Sequence, residues 1–241
     1  MGYHRYKWLK FYSVCITAVC LLSIFALGFL LHREGYDEKL LVKLGLKEPV
    51  SQGDWAVGGW NNTLMKMDYD ADIVFLGDSI TAASDFRAYF PNRKIVNLGY
   101  HGDTLVGMID RVPGVAAVSP EKVFVMGGIN GLTDLNADIC LNTYSQLLDE
   151  LAEALPESQI YVQSTLPIAA VRERYGCSNR TIADFNQALD TMAQQRGMTF
   201  VDLHSLYSKG GEMDPEYSYD GLHLLSQAYA LWADAITPYI D

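Results

Sequence analysis

From residue 72 to the end of the chain, short apolar runs alternate with longer amphipathic stretches. The runs at 73–76 (IVFL), 94–98 (KIVNL), 122–126 (KVFVM), 159–163 (QIYVQ) and 199–201 (TFV) are rich in β-branched and aromatic residues and predict five strands. Helical spacing of apolar positions predicts helices over 105–118, with a break at Pro113, and over 137–154, 179–196 and 226–236. Strands that alternate with helices imply a parallel sheet covered on both faces. Right-handed crossovers then give an α/β fold, a three-layer α/β/α sandwich around a five-stranded parallel sheet. No internal repeat or low-complexity segment interrupts this order.

Upstream the pattern changes. Residues 11–31 run for 21 positions without a charge. At a rise of about 1.5 Å per residue that is about 30 Å, the thickness of a bilayer's hydrocarbon core. This predicts an N-terminal transmembrane helix, with 1–35 as a short basic tail and signal-anchor. Residues 36–70 form a stem and linker, and 71–241 the folded domain. Over 36–46, Leu40, Leu41 and Leu44 fall at helical spacing, and the glycines and Pro49 after them break the pattern. Trp55 and Trp60 read as packing residues. Lysines and arginines flank the span on both sides, but a large downstream domain crosses a membrane regardless of such charges. The expected location of the domain is therefore extracytoplasmic. A signal peptide cleaved near Ala26-Leu27-Gly28, releasing a secreted domain, is the alternative.

Composition narrows the function. The formal net charge is -11, which argues against nucleic acid as a partner. The four cysteines, Cys15, Cys20, Cys140 and Cys177, form no CxxC pair, so no metal site is expected. Val19 before Cys20 is a poor fit to a lipidation box, and whether Cys140 and Cys177 pair is open at this level.

The candidate chemistry lies where strands end. Gly77-Asp78-Ser79 follows the first strand and places a hydroxyl near a helix start, where an open α/β sheet binds ligands. It is not a G-x-S-x-G elbow, because Ile80 and Thr81 follow the serine. Gly99-Tyr100-His101-Gly102-Asp103 follows the second strand, and Gly127-Gly128-Ile129-Asn130 the third. Asp220-Gly221-Leu222-His223 precedes the last helix, and a carboxylate three residues from an imidazole can orient it as a base. Asp78 and Asp103 read as loop hydrogen-bonding residues, and His204 as structural. Pro167 is expected to shape a loop bordering the site, and His101 either lines the pocket or lies on the surface.

In this order the motifs resemble the SGNH/GDSL hydrolase family over about residues 70–240. The resemblance implies a flavodoxin-like sheet, Ser79 as nucleophile, His223 as general base and Asp220 as its orienting carboxylate. It implies an oxyanion hole of the Ser79 and Gly102 N–H groups and the Asn130 amide, with no cofactor. The family's third motif usually reads Gly-x-Asn-Asp, where this chain has Gly131 in place of the Asp, which leaves the support of the Asn130 loop, and with it the precision of the oxyanion hole, open at this level. The resemblance is closest to small acylhydrolases similar to platelet-activating-factor acetylhydrolases. It implies a serine esterase, or lipase, that removes short acyl groups, acetyl above all, from carbohydrate or lipid esters. The same residues serve an O-acyltransferase acting on envelope glycans, and a catalytically weak glycan- or lipid-binding module is the reading from another class.

Overall fold

A computed structural model describes residues 70–240 of the chain. The tail, the predicted membrane helix and nearly all of the stem lie outside the described residues. Among the described residues no helix is long and apolar enough to cross a membrane.

Strands β1 (Ile73–Gly77), β2 (Ile95–Gly99), β3 (Lys122–Met126), β4 (Gln159–Gln163) and β5 (Thr199–Val201) form one sheet in the order β2-β1-β3-β4-β5. All its pairings are parallel. Between and after these strands come α1 (Ser79–Ala82), α2 (Phe86–Tyr89), α3 (Leu105–Ala116), α4 (Ala137–Ala154), α5 (Asn179–Gln195), α6 (His204–Tyr207) and α7 (Ala228–Ile236). A two-stranded antiparallel hairpin, β6 (Ser208–Lys209) with β7 (Glu212–Met213), lies between α6 and α7.

Every residue of β1 and β3 is buried, as strands covered on both faces must be. Val74, Leu76, Val123 and Val125 pack with α3, α4 and α5 through Met108, Leu147, Leu148 and Leu189. Ile73, Phe75 and Phe124 face the opposite layer, with Phe86, Trp232 and Ile236. Strand alternation divides the side chains between the two layers. Parallel register aligns Phe75 with Phe124 and Phe124 with Tyr161. Their rings stack at 5.0 and 4.6 Å between centroids, and Phe86 closes the row at 3.8 Å from Phe75.

The five predicted strands appear within one residue of the expected bounds. The break at Pro113 does not occur: α3 continues through it to Ala116. The proline stands near the helix end, and buried Met108, Val112 and Val115 hold both sides of it against the sheet. Cys140 and Cys177 are both buried free thiols.

Reversal of the chain order between β1 and β3 makes a crevice at the carboxyl ends of these strands. Two glycines bring the strand ends against α1. A Cβ on Gly99 would lie 2.2 Å from the Ala82 backbone nitrogen, and one on Gly77 2.9 Å from the Met126 carbonyl oxygen. Neither neighbour can move without shifting a backbone. Gly99→Ala is expected to cost about 1–3 kcal/mol in urea denaturation, the range for overpacking; a cost below about 0.5 kcal/mol would show that α1 is not tightly seated on β2.

Candidate active site

Asp78 follows β1 and caps α1, accepting the Ile80 N–H at 2.9 Å. The next residue, Ser79, is therefore held on the first turn of α1, with 7% of its surface exposed. At the other end of the domain, Asp220, Gly221 and His223 form a tight loop. Gly221 takes φ +79, the left-handed region that glycine enters at no steric cost. Asp220 Oδ1 accepts the backbone N–H groups of Leu222 at 3.0 Å and His223 at 2.8 Å. Ser218 Oγ accepts the Gly221 N–H and donates to the His223 carbonyl.

This loop brings His223 onto Ser79 across 144 residues of sequence. His223 Nδ1 lies 2.9 Å from Asp220 Oδ2, and Nε2 lies 3.0 Å from Ser79 Oγ. Burial alone would raise the Asp220 pKa, but the bonds from the His223 ring, His223 N–H and Leu222 N–H outweigh it and hold the carboxyl at about 2. An ionised carboxylate only accepts, so Nδ1 carries the ring hydrogen and the Nε2 lone pair faces the Ser79 hydroxyl.

Gly102 and Asn130 stand on neighbouring loops joined through Asp103. The Asn130 amide donates one hydrogen to the Asp103 carbonyl at 2.8 Å, leaving its second for another acceptor. Gly102 adopts φ +74 on the exposed loop just before Asp103. Among the described residues, neither the Ser79 nor the Gly102 N–H is spent on a protein acceptor. Asp103 pairs with buried Arg111, which also bonds the Leu98 and Gly77 carbonyls.

The Asn130 loop is supported without the family's usual aspartate. Gly131 and Leu132 N–H both donate to the Gly128 carbonyl at 2.9 Å. Buried Asn136 accepts the Thr133 N–H at 2.7 Å and donates to the Gly131 carbonyl at 2.8 Å. The structure thus joins Ser79, His223 and Asp220 by direct hydrogen bonds and sets Gly102 and Asn130 on adjoining loops. His101 is exposed, and His204 is partly buried, its N–H donating to Ser164 Oγ. Pro167 is buried between β4 and the turn that follows.

Sequence reasoning missed Arg111, Asn136 and Arg172. Arg172 donates to Asp220 Oδ2 at 2.7 Å. It stands in a charged run that reads as solvated, and no local pattern links it to a partner 48 residues away.

The sequence pattern of the GDSL-like lipase/acylhydrolase family matches residues 75–231. The chain belongs to the GDSL-like lipase/acylhydrolase family. Among solved structures, a Streptococcus pneumonia protein provisionally described as a platelet activating factor is similar, with a TM-score of 0.71 and 24% identity. That likeness covers 86% of this chain and 99% of the other. The acetyl xylan esterase AlAXEase has a TM-score of 0.59 at 17% identity, over 70% of this chain and 99% of its own. Among characterised sequences, an N-acylneuraminate cytidylyltransferase of Streptococcus agalactiae serotype V is 26% identical over 173 residues, 71% of this chain. This GDSL-family chain spans about two fifths of the length of that relative, 39%.

Asp78 sits behind the serine in a different setting from Asp220. Burial is the main cause that pushes its carboxyl up to about 6, with the Asp103 charge adding to it and the Ile80 bond opposing. The folded chain then holds this proton more tightly than the unfolded chain. Stability contributed by protonated Asp78 is lost as pH rises from about 4 to about 6, a change of about 3 kcal/mol. Asp78→Asn keeps an acceptor for the Ile80 N–H and removes the titration. In urea denaturation the variant should gain stability relative to the wild type between about pH 4 and about pH 7. Parallel pH profiles for the two proteins would refute the buried titration.

Proposed function

We propose that the chain is a serine esterase that removes short acyl groups, acetyl above all, from carbohydrate or lipid esters. The observation that carries this reading is the hydrogen-bonded series from Ser79 Oγ through His223 to Asp220 Oδ2. Membership of the GDSL-like lipase/acylhydrolase family supports ester chemistry. Fold likeness to an acetyl xylan esterase, and a partial match to a protein named for an N-acylated sugar, support an acylated sugar as the ester's alcohol part.

The reaction follows from the groups present. A serine hydroxyl is a weak nucleophile until a base takes its proton. As Ser79 Oγ attacks the ester carbonyl, His223 Nε2 receives that proton, and Asp220 steadies the imidazolium that forms. Negative charge collects on the carbonyl oxygen, where the Ser79 N–H, the Gly102 N–H and the second Asn130 amide hydrogen act as donors. The C–O bond to the alcohol then breaks, and His223 returns the proton to the leaving oxygen. Water, deprotonated by His223, attacks the acyl-Ser79 ester and releases the carboxylic acid. The uncharged span at 11–31 would hold the domain at the outer face of a membrane, beside envelope glycans and lipids.

Full-length protein should hydrolyse p-nitrophenyl acetate, and Ser79→Ala should abolish both turnover and labelling by a fluorophosphonate probe. Asn130→Ala should lower kcat by about 10²–10³. Equal rates for the wild type and Ser79→Ala would remove the nucleophile assignment. Cell fractionation tests the anchor: full-length protein should sediment with membranes, whereas a shortened soluble form would indicate cleavage.

A further inference from the structure

After β4 the chain forms a short 3-10 helix, Ala170–Tyr175, which carries Arg172 to the His223 loop. We propose that Arg172 is a positioning residue: its guanidinium fixes the Asp220 carboxylate that in turn orients His223. The proposal rests on the esterase reading and deepens it.

Two bonds carry the proposal. Arg172 Nε donates to the Asp220 carbonyl oxygen at 2.7 Å, and its Nη2 donates to Asp220 Oδ2, also at 2.7 Å. One planar group thus fixes the backbone and the carboxylate of the same residue, which a lysine ammonium cannot do with the same geometry. Oδ2 is also the oxygen that accepts from His223 Nδ1. The oxygen that orients the base is therefore shared with a permanent cation, and Oδ1 is occupied by two backbone N–H groups. Both Asp220 carboxylate oxygens thus have their donors in place.

The arginine is itself held in place. Its guanidinium carbon lies 5.9 Å from the centroid of the Tyr175 ring, a cation–π distance. The Ala169 N–H donates to the Gly221 carbonyl at 2.9 Å, and a Cβ on Gly221 would lie 2.5 Å from the Ala169 Cβ. The Ala170 N–H bonds Glu212 of the β6–β7 hairpin at 3.2 Å. The turn is pinned on one side to the hairpin and on the other to the His223 loop. Side-chain exposures of 29% for Arg172 and 22% for Asp220 set this pair apart from a freely solvated surface bridge. Arg172 acts on the relay through Asp220, so its loss should slow the chemical step and leave ester binding nearly unchanged.

The test uses full-length Arg172→Met and Arg172→Lys with p-nitrophenyl acetate, together with the downfield proton signal of His223 Nδ1–H, identified by its loss in His223→Ala. Arg172→Met should lower kcat by about 10–100-fold, the scale of a misplaced catalytic group, with KM within about threefold. Its Nδ1–H signal should shift or broaden. Arg172→Lys keeps the charge and stem, and should recover kcat only in part. A folded Arg172→Met or Arg172→Lys with kcat within about twofold of the wild type and an unchanged signal would overturn the proposal, as would a rise in KM alone. If Arg172→Met fails to fold, the Arg172→Lys comparison decides. Wild-type rates in Ser79→Ala would instead refute the esterase reading, and the Nδ1–H signal would still report whether Arg172 positions the imidazole.

Discussion

One buried guanidinium ties together three of the loops around Ser79. Arg111 on α3 has 5% of its side chain exposed, and its partner Asp103 has none. The same guanidinium bonds carbonyl groups near the ends of β1 and β2, at Gly77 and Leu98. Asp103 then reaches in two further directions: its side chain accepts the Thr104 N–H at the start of α3, and its carbonyl accepts the Asn130 amide. Burial lowers the Arg111 pKa, and the Asp103 charge opposes that effect. Taking two charges out of water is costly, so such a pair is weak evidence for stability as such. Its contribution here is geometric: the strand that leads to Ser79, the Gly102 loop and the Asn130 loop share one rigid junction.

His223 arrives from elsewhere in the chain and is held by different means. Asp220 and His223 keep 22% and 30% of their side chains exposed, so burial does little to fix them. Hydrogen bonds do: Asp220 accepts from two backbone N–H groups, from His223 and from Arg172. The site therefore has two carboxylates in opposed environments, a pattern by which one fold separates roles. Asp220, well supplied with donors, stays ionised down to about 2, whereas Asp78, buried behind the serine, is pushed up to about 6. One is bonded to the His223 ring and the other caps a helix start.

Much of this was legible before the structure. β1 and β3 read as strands because both faces are buried and nearly every position must be apolar. The helix at Ala137–Ala154 was legible because its buried residues recur at helical spacing. Ser79, Asn130, Asp220 and His223 were legible because each sits in a short motif at a strand or helix boundary. Pro113 misled because a proline's local penalty says nothing of the sheet that holds α3 on both sides of it. Gly131 raised the question of how Asn130 is supported, and the answer, Asn136, lies on the next turn of chain, with no marker beyond being an asparagine before a helix.

By itself, then, the sequence determined the alternation of strands and helices, the parallel sheet, the family and which short motifs stand at the strand ends. These depend on periodicity and on residue types at short spacing, both of which are local. The tertiary structure alone decided which charged groups meet: Arg111 with Asp103 and two strand ends, and Arg172 with Asp220. It also set the 3.0 Å contact between Ser79 and His223. Such pairings arise when distant segments are brought together by burial of the apolar layers. A charged residue reads the same in sequence whether solvent or a carboxylate awaits it.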